Sequence, residues 1–213
     1  MIQAEVEKIY LENMRNVKNR ISYAENQIES FNKSNDYYIL ENTILHLRKT
    51  LECIAYASIA PNKEAYAKVR LQSEQKSDFR KDYHAGKIIK QLAKINPDFY
   101  PLPLIEPKLV ADRQWYFDRL DSGYLTQEEY IKLYDKLGKF LHSDNPWDNK
   151  KEYANLAKDI GKNFQKIKLL LQIHATFVQD KKVRYSFVID MGSTVKDVSI
   201  IAAMADTPFS VYR

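Results

Sequence analysis

Turn-forming residues are scarce: the 213-residue chain holds 5 Gly and 7 Pro, less than half the roughly 12% these two contribute to ordinary proteins. So few tight turns argue against a many-stranded sandwich or barrel. No GxGxxG or GxxxxGK[ST] occurs, so a glycine-cradled nucleotide is not expected. The lone Cys53 rules out a disulfide framework and a cysteine-based zinc cluster, and it fits a reducing compartment. No apolar run approaches the roughly 18 to 20 residues that cross a membrane. The opening MIQAEVEKIYLEN places charges where a signal peptide has its apolar stretch. The expectation is a cytoplasmic protein with no membrane partner. With four histidines, no HxxxH or HExxH pair and no paired Glu-x-x-His, neither a metal nor another cofactor is expected.

What the chain does have is charge and helical periodicity. Hydrophobic residues make up 45%, charged residues 29%, and the mean hydropathy is −0.52, as in a soluble folded protein. The net charge of +5 is local, because residues 62–94 carry nine Lys/Arg against four acids. Such an excess is an electrostatic footprint for a polyanion. Lys68, Arg70, Lys76, Arg80, Lys81 and Lys87 are the candidate nucleic-acid-binding residues in it.

Tyr10, Met14, Val17, Ile21, Ala24, Ile28 and Phe31 recur at spacings of four and three, predicting a long first helix with a heptad seam. The cluster 32–36 stops it, and Leu40, Ile44, Leu47, Leu51 and Ile54 mark a second helix ending at Pro61-Asn62. Ala85, Ile88, Ile89, Leu92 and Ile95 predict a short amphipathic helix. The stretch NPDFYPLPLIEP then carries four of the seven prolines and predicts an extended surface segment. Gln114–Leu120 reads as a strand with a turn at Asp121-Ser122-Gly123. Thr126 with Glu129 forms a capping box for a helix through Tyr130, Tyr134, Leu137 and Leu141. Asp148 can cap a last helix whose inward face runs from Tyr153 to His174. Alternation over 183–191 and a second run over 195–205 predict a C-terminal hairpin. The expected fold is mainly α: a bundle of four to six long helices over 1–176, with an irregular basic and Pro-rich insertion at 62–124. A small β-hairpin over 177–213 docks on the bundle or on a partner.

The segment YDKLGKFLHSDNPW (134–147) brings basic residues near a histidine. At 100° per residue, Lys139 stands within 60° of His142, and Lys136 on an adjoining face. An imidazole beside fixed cations has the parts to move a proton during phosphodiester cleavage while the cations hold the phosphate. Gly138 leaves room for another helix or a ligand to approach. His142 as a cation at a helix C-terminus is the plain structural alternative. Long helices with a basic residue about six positions before a late histidine resemble the HEPN superfamily of all-helical domains. Many of its members are dimeric, metal-independent RNases of bacterial toxin and phage-defence systems. The resemblance covers roughly residues 1–176. It implies His142 as general acid/base, with Lys136 in the position of the family's arginine. Lys139 and Arg48 are the neighbouring candidates for holding phosphate.

Three functions are compatible with these residues. The leading one is a helical binding or assembly module, a degenerate HEPN-like domain or an unrelated bundle, that homodimerises through the helix seam and hairpin. The second is a metal-independent RNase, and the third is non-specific RNA or other nucleic-acid binding through 62–94.

Overall fold

The computed structural model describes residues 2–72, 78–111, 114–143, 147, 151–179, 184–192 and 196–205. Two long helices, α1 (Ile2–Ser34) and α2 (Tyr37–Ile59), form the spine. The chain reverses between them by local chemistry. Asn35 takes the left-handed conformation (φ 55°) and its N–H bonds the Phe31 carbonyl at 2.7 Å. The Asp36 carboxylate then accepts the Tyr38 N–H at 2.9 Å and opens α2. The α1 seam lies against α2: Tyr10, Met14, Val17, Ile21, Ala24 and Phe31 are buried in one core with Leu40, Ile44, Leu47, Leu51 and Ile54. The seam expected to serve self-assembly is therefore filled by the chain itself.

Four shorter helices complete a mainly α architecture: α3 (Lys63–Gln72), α4 (Ala85–Ile95), α5 (Gln127–Phe140) and α6 (Tyr153–Leu171). α5 opens on the expected capping box, with both the Thr126 and the Glu129 side-chain bonds made. Asp148, the expected cap of the last helix, lies outside the described residues. Among the described residues no helix is long and apolar enough to cross a membrane.

The strands depart from expectation in two ways. The last helix stops at Leu171, and His174 belongs to a strand, not to a helical face. The run Ile173-His174-Ala175-Thr176-Phe177-Val178 is rich in β-branched and aromatic residues and pairs on both sides. The C-terminal element is therefore more than a hairpin. It is a four-stranded antiparallel sheet in the order β1 (Leu102–Pro103), β4 (Ile173–Gln179), β5 (Arg184–Asp190), β6 (Ser199–Ala205). The Pro-rich stretch is extended but not a surface segment. Phe99, Pro101 and Pro103 are buried in alternation, and the last lies in β1, an edge strand where a missing N–H is tolerated. A separate small hairpin pairs β2 (Lys108–Ala111) with β3 (Gln114–Tyr116).

The sheet docks on its own bundle. Phe187, Ile189, Met191 and Val198 join the main core. From α1, Lys18 donates to the carbonyls of Met191 (3.0 Å) and Lys196 (2.6 Å), and Arg15 pairs with Asp197 at 2.9 Å.

Candidate nucleic-acid surface

α4 is the most amphipathic helix of the chain, and its sequence AGKIIKQLAKI contains no acid. Ala85, Ile88, Ile89 and Leu92 are buried against the bundle. Lys87, Lys90 and Lys94 are exposed, at spacings of three and four that set them within about 60° of one another. From first to last they span about 10 Å along the helix axis. Lys68 on α3 and Lys81 before α4 are exposed as well. Among the described residues none of these five lysines makes an ion pair. Elsewhere cations are taken up: Lys63 by Glu5 (2.7 Å), Lys132 by Glu128 (2.5 Å) and Lys168 by Glu25 (2.5 Å).

The start of α4 is fixed from three sides. The Asp82 carboxylate accepts the Tyr66 hydroxyl at 2.9 Å and Arg70 at 2.8 Å. The Tyr83 carbonyl lies 3.4 Å from the Tyr134 hydroxyl, whose one proton it shares with the Glu52 carboxylate at 3.2 Å. His84 caps α4 by accepting the Lys87 N–H at 3.2 Å, and its ring meets Tyr134 edge-on at 5.2 Å between centroids. Burial, with Asp82 adding to it, pushes the Tyr66 phenol up, so the hydroxyl stays a donor.

The expected nucleic-acid residues divide accordingly. Lys68, Lys81 and Lys87 are free and exposed. Arg70 is spent on Asp82, and Arg80 holds Asp78 through Nε (2.9 Å) and Nη2 (2.7 Å). Lys76 lies outside the described residues. Lys90 and Lys94, the continuation of the stripe, are among the nine basic residues counted over 62–94, but charge alone does not single them out as binding residues. The 3–4 spacing on an acid-free helix is the signal that identifies them.

The four candidate catalytic residues do not form one cluster. Lys136 turns to α6 and pairs with Asp159 at 3.0 Å. Lys139 is exposed on α5. His142 is exposed just past the end of α5, and its carbonyl takes the Lys151 ammonium. Arg48 reaches α5 from α2. Its Nη1 donates to the Tyr134 carbonyl at 2.7 Å, its guanidinium lies 3.7 Å from the Tyr134 ring centroid, and its Nε stands 3.6 Å from Glu52. The room beside Gly138 is used by this guanidinium: a Cβ there would stand 2.5 Å from Nη1. Tyr134 also donates to Glu52 at 3.2 Å, and its phenol is pushed up to about 12, chiefly by burial. Two further groups are shifted by their surroundings. Burial raises the Cys53 thiol, and burial with nearby Arg20 and Lys49 lowers the His46 imidazole. Among the described residues no three His, Cys, Asp or Glu side chains converge to hold a metal ion. No family model, curated protein or solved structure matches this chain.

Proposed function

We propose that this chain is a helical module that binds nucleic acid through its phosphates, using the lysine face of α3 and α4. The observation that carries it is the unpaired stripe Lys87, Lys90 and Lys94 on a helix without acids. Lysine supports such binding as a strongly hydrated point charge that needs no fixed partner geometry. Neutralising three phosphates of a single strand gives a slope of log K against log salt of about −2. The test is fluorescence anisotropy with a labelled oligonucleotide at several salt concentrations. Reversing Lys87, Lys90 and Lys94 to Glu should abolish most binding and flatten the slope by about 2. The same reversal at Lys8, Lys158 and Lys162 should change it far less. Equal losses from the two triple variants would overturn the assignment.

A second role, metal-independent RNA cleavage in the manner of a HEPN-like domain, is favoured by one feature. Arg48 is seated over Gly138, one helical turn before His142, and would place an arginine where Lys136 stands in the motif once its guanidinium leaves the Tyr134 carbonyl and Glu52. Structured RNA incubated in EDTA with wild type, His142→Ala and Arg48→Ala tests it. Loss of cleavage in both variants supports it. No cleavage by any of the three, or equal cleavage by all, removes it.

A further inference from the structure

Tyr83 stands between two anchored residues and is itself left in solvent. Asp82 is held by Tyr66 and Arg70, and His84 is held as the α4 cap against Tyr134. The Tyr83 carbonyl is bonded by the Tyr134 hydroxyl, yet the residue is 77% exposed. A large ring on a fixed mount spends little entropy when a flat ligand covers it. Its neighbours decide what that ligand is. Lys81 lies two residues before it and Lys87 four after, both exposed and unpaired. Two other exposed tyrosines also stand beside carboxylates, Tyr116 donating to Asp118 at 3.2 Å and Tyr38 following Asp36, whereas the Asp82 carboxylate next to Tyr83 is neutralised by Arg70 at 2.8 Å.

We infer that Tyr83 is a base-stacking platform at the head of the α4 lysine stripe, so that the surface takes single-stranded nucleic acid in preference to duplex. This rests on the phosphate-binding role proposed for α4. In a duplex each base face is already stacked on its neighbours. A single strand laid along Lys87, Lys90 and Lys94 has base faces to offer, and a base–aromatic stack is sequence-tolerant because every base has a π-face.

The experiment compares three probes by anisotropy at low salt: a labelled oligouridylate, an RNA duplex of the same length, and labelled heparin, which has charge but no bases. Tyr83→Ala should weaken oligouridylate binding roughly tenfold and leave heparin and duplex binding unchanged. Tyr83→Trp should keep or strengthen oligouridylate binding. If Tyr83→Ala weakens all three probes equally, or none, the stacking role is wrong while the lysine surface stands. If the triple Lys→Glu variant binds every probe as wild type does, or wild type binds none, the phosphate surface itself falls and the stacking role with it.

Discussion

His174 makes the acid side of this fold's stability measurable. It is fully buried in β4, with Nδ1 2.8 Å from the Leu171 carbonyl and Nε2 2.9 Å from the Tyr10 hydroxyl. A carbonyl only accepts, so Nδ1 carries the proton and the Tyr10 hydroxyl donates to Nε2. Both ring nitrogens are satisfied in the neutral form. Burial lowers the pKa to about 4 from an ordinary 6.5, against a small upward pull from the Leu171 carbonyl. The unfolded chain therefore binds this proton first. The stabilisation is fully present above pH 6.5 and is lost as pH falls from 6.5 towards 4. A gap of about 2.5 pH units at 1.36 kcal/mol each is about 3 kcal/mol, against a total of about 5 to 15 for a typical domain. Carboxylates held low by cations, such as Asp197 beside Arg15 and Glu129 beside Lys166, also lose stability in acid. A difference between variants cancels them. Urea unfolding of wild type and His174→Gln, followed by circular dichroism between about pH 7.5 and 4.5, isolates the histidine. Wild type should lose about 2.5 kcal/mol more than the variant over that interval, the rest of the gap closing only below about pH 4.5. Parallel curves, or an imidazole NMR titration of His174 centred near pH 6.5, would refute the buried-neutral assignment.

Gly138→Ala should destabilise the fold by about 1 kcal/mol, although Ala normally favours a helix by a similar amount, because the new methyl displaces Arg48 from the Tyr134 carbonyl. In an Arg48→Ala background the same change should become stabilising, and a chemical-denaturation double-mutant cycle without that sign reversal would contradict the packing. Tyr130→Phe should cost about 1 kcal/mol by removing a buried donor to the Leu51 carbonyl, and an unchanged urea midpoint would tell against that bond. Lys136→Ala breaks an ion pair whose partners are 45% and 56% exposed, so thermal unfolding should register less than about 1 kcal/mol. Gly192→Ala forces a residue at φ 66° to carry a Cβ that would stand 2.7 Å from the Asp197 carbonyl oxygen. A loss of at least about 1 kcal/mol should follow, and wild-type stability would show that this turn relaxes at no cost.

The helices were legible because one physical signal dominates each. The α1 seam and the α6 face repeat with the helical period, and Thr126 with Glu129 announces the start of α5. β4 was hidden because Leu171 and His174 are three apart, a spacing that continues the helical face of α6. Only the β-branched and aromatic run that follows betrays the change of period. The buried edge at 99–103 was hidden because prolines normally mark solvent. Here Phe99, Pro101 and Pro103 alternate inward with period two, and the strand they join has an edge that needs no N–H from Pro103. Ion pairing was the least legible feature. Arg70 finds Asp82 twelve residues on, a separation that no local charge count bridges.

That pairing explains the character of the surface. In the segment that carries the net charge, both described arginine–acid contacts, Arg70 with Asp82 and Arg80 with Asp78, consume an arginine and an acid together. The planar fork of arginine suits a fixed carboxylate partner, half-buried at Asp82 and on the surface at Asp78, while lysine keeps its hydration. What remains for a ligand is a row of ammonium groups at Lys87, Lys90 and Lys94, with Lys81 and Lys68 also exposed on the preceding segment. Point charges on flexible stems hold a phosphate without fixing its orientation, so they confer affinity that falls with salt and no reading of sequence. Discrimination on this face then has to come from a group with shape. If this face binds nucleic acid as proposed, Tyr83, a large exposed side chain at the head of that row, makes strandedness, not base identity, the property it would sense.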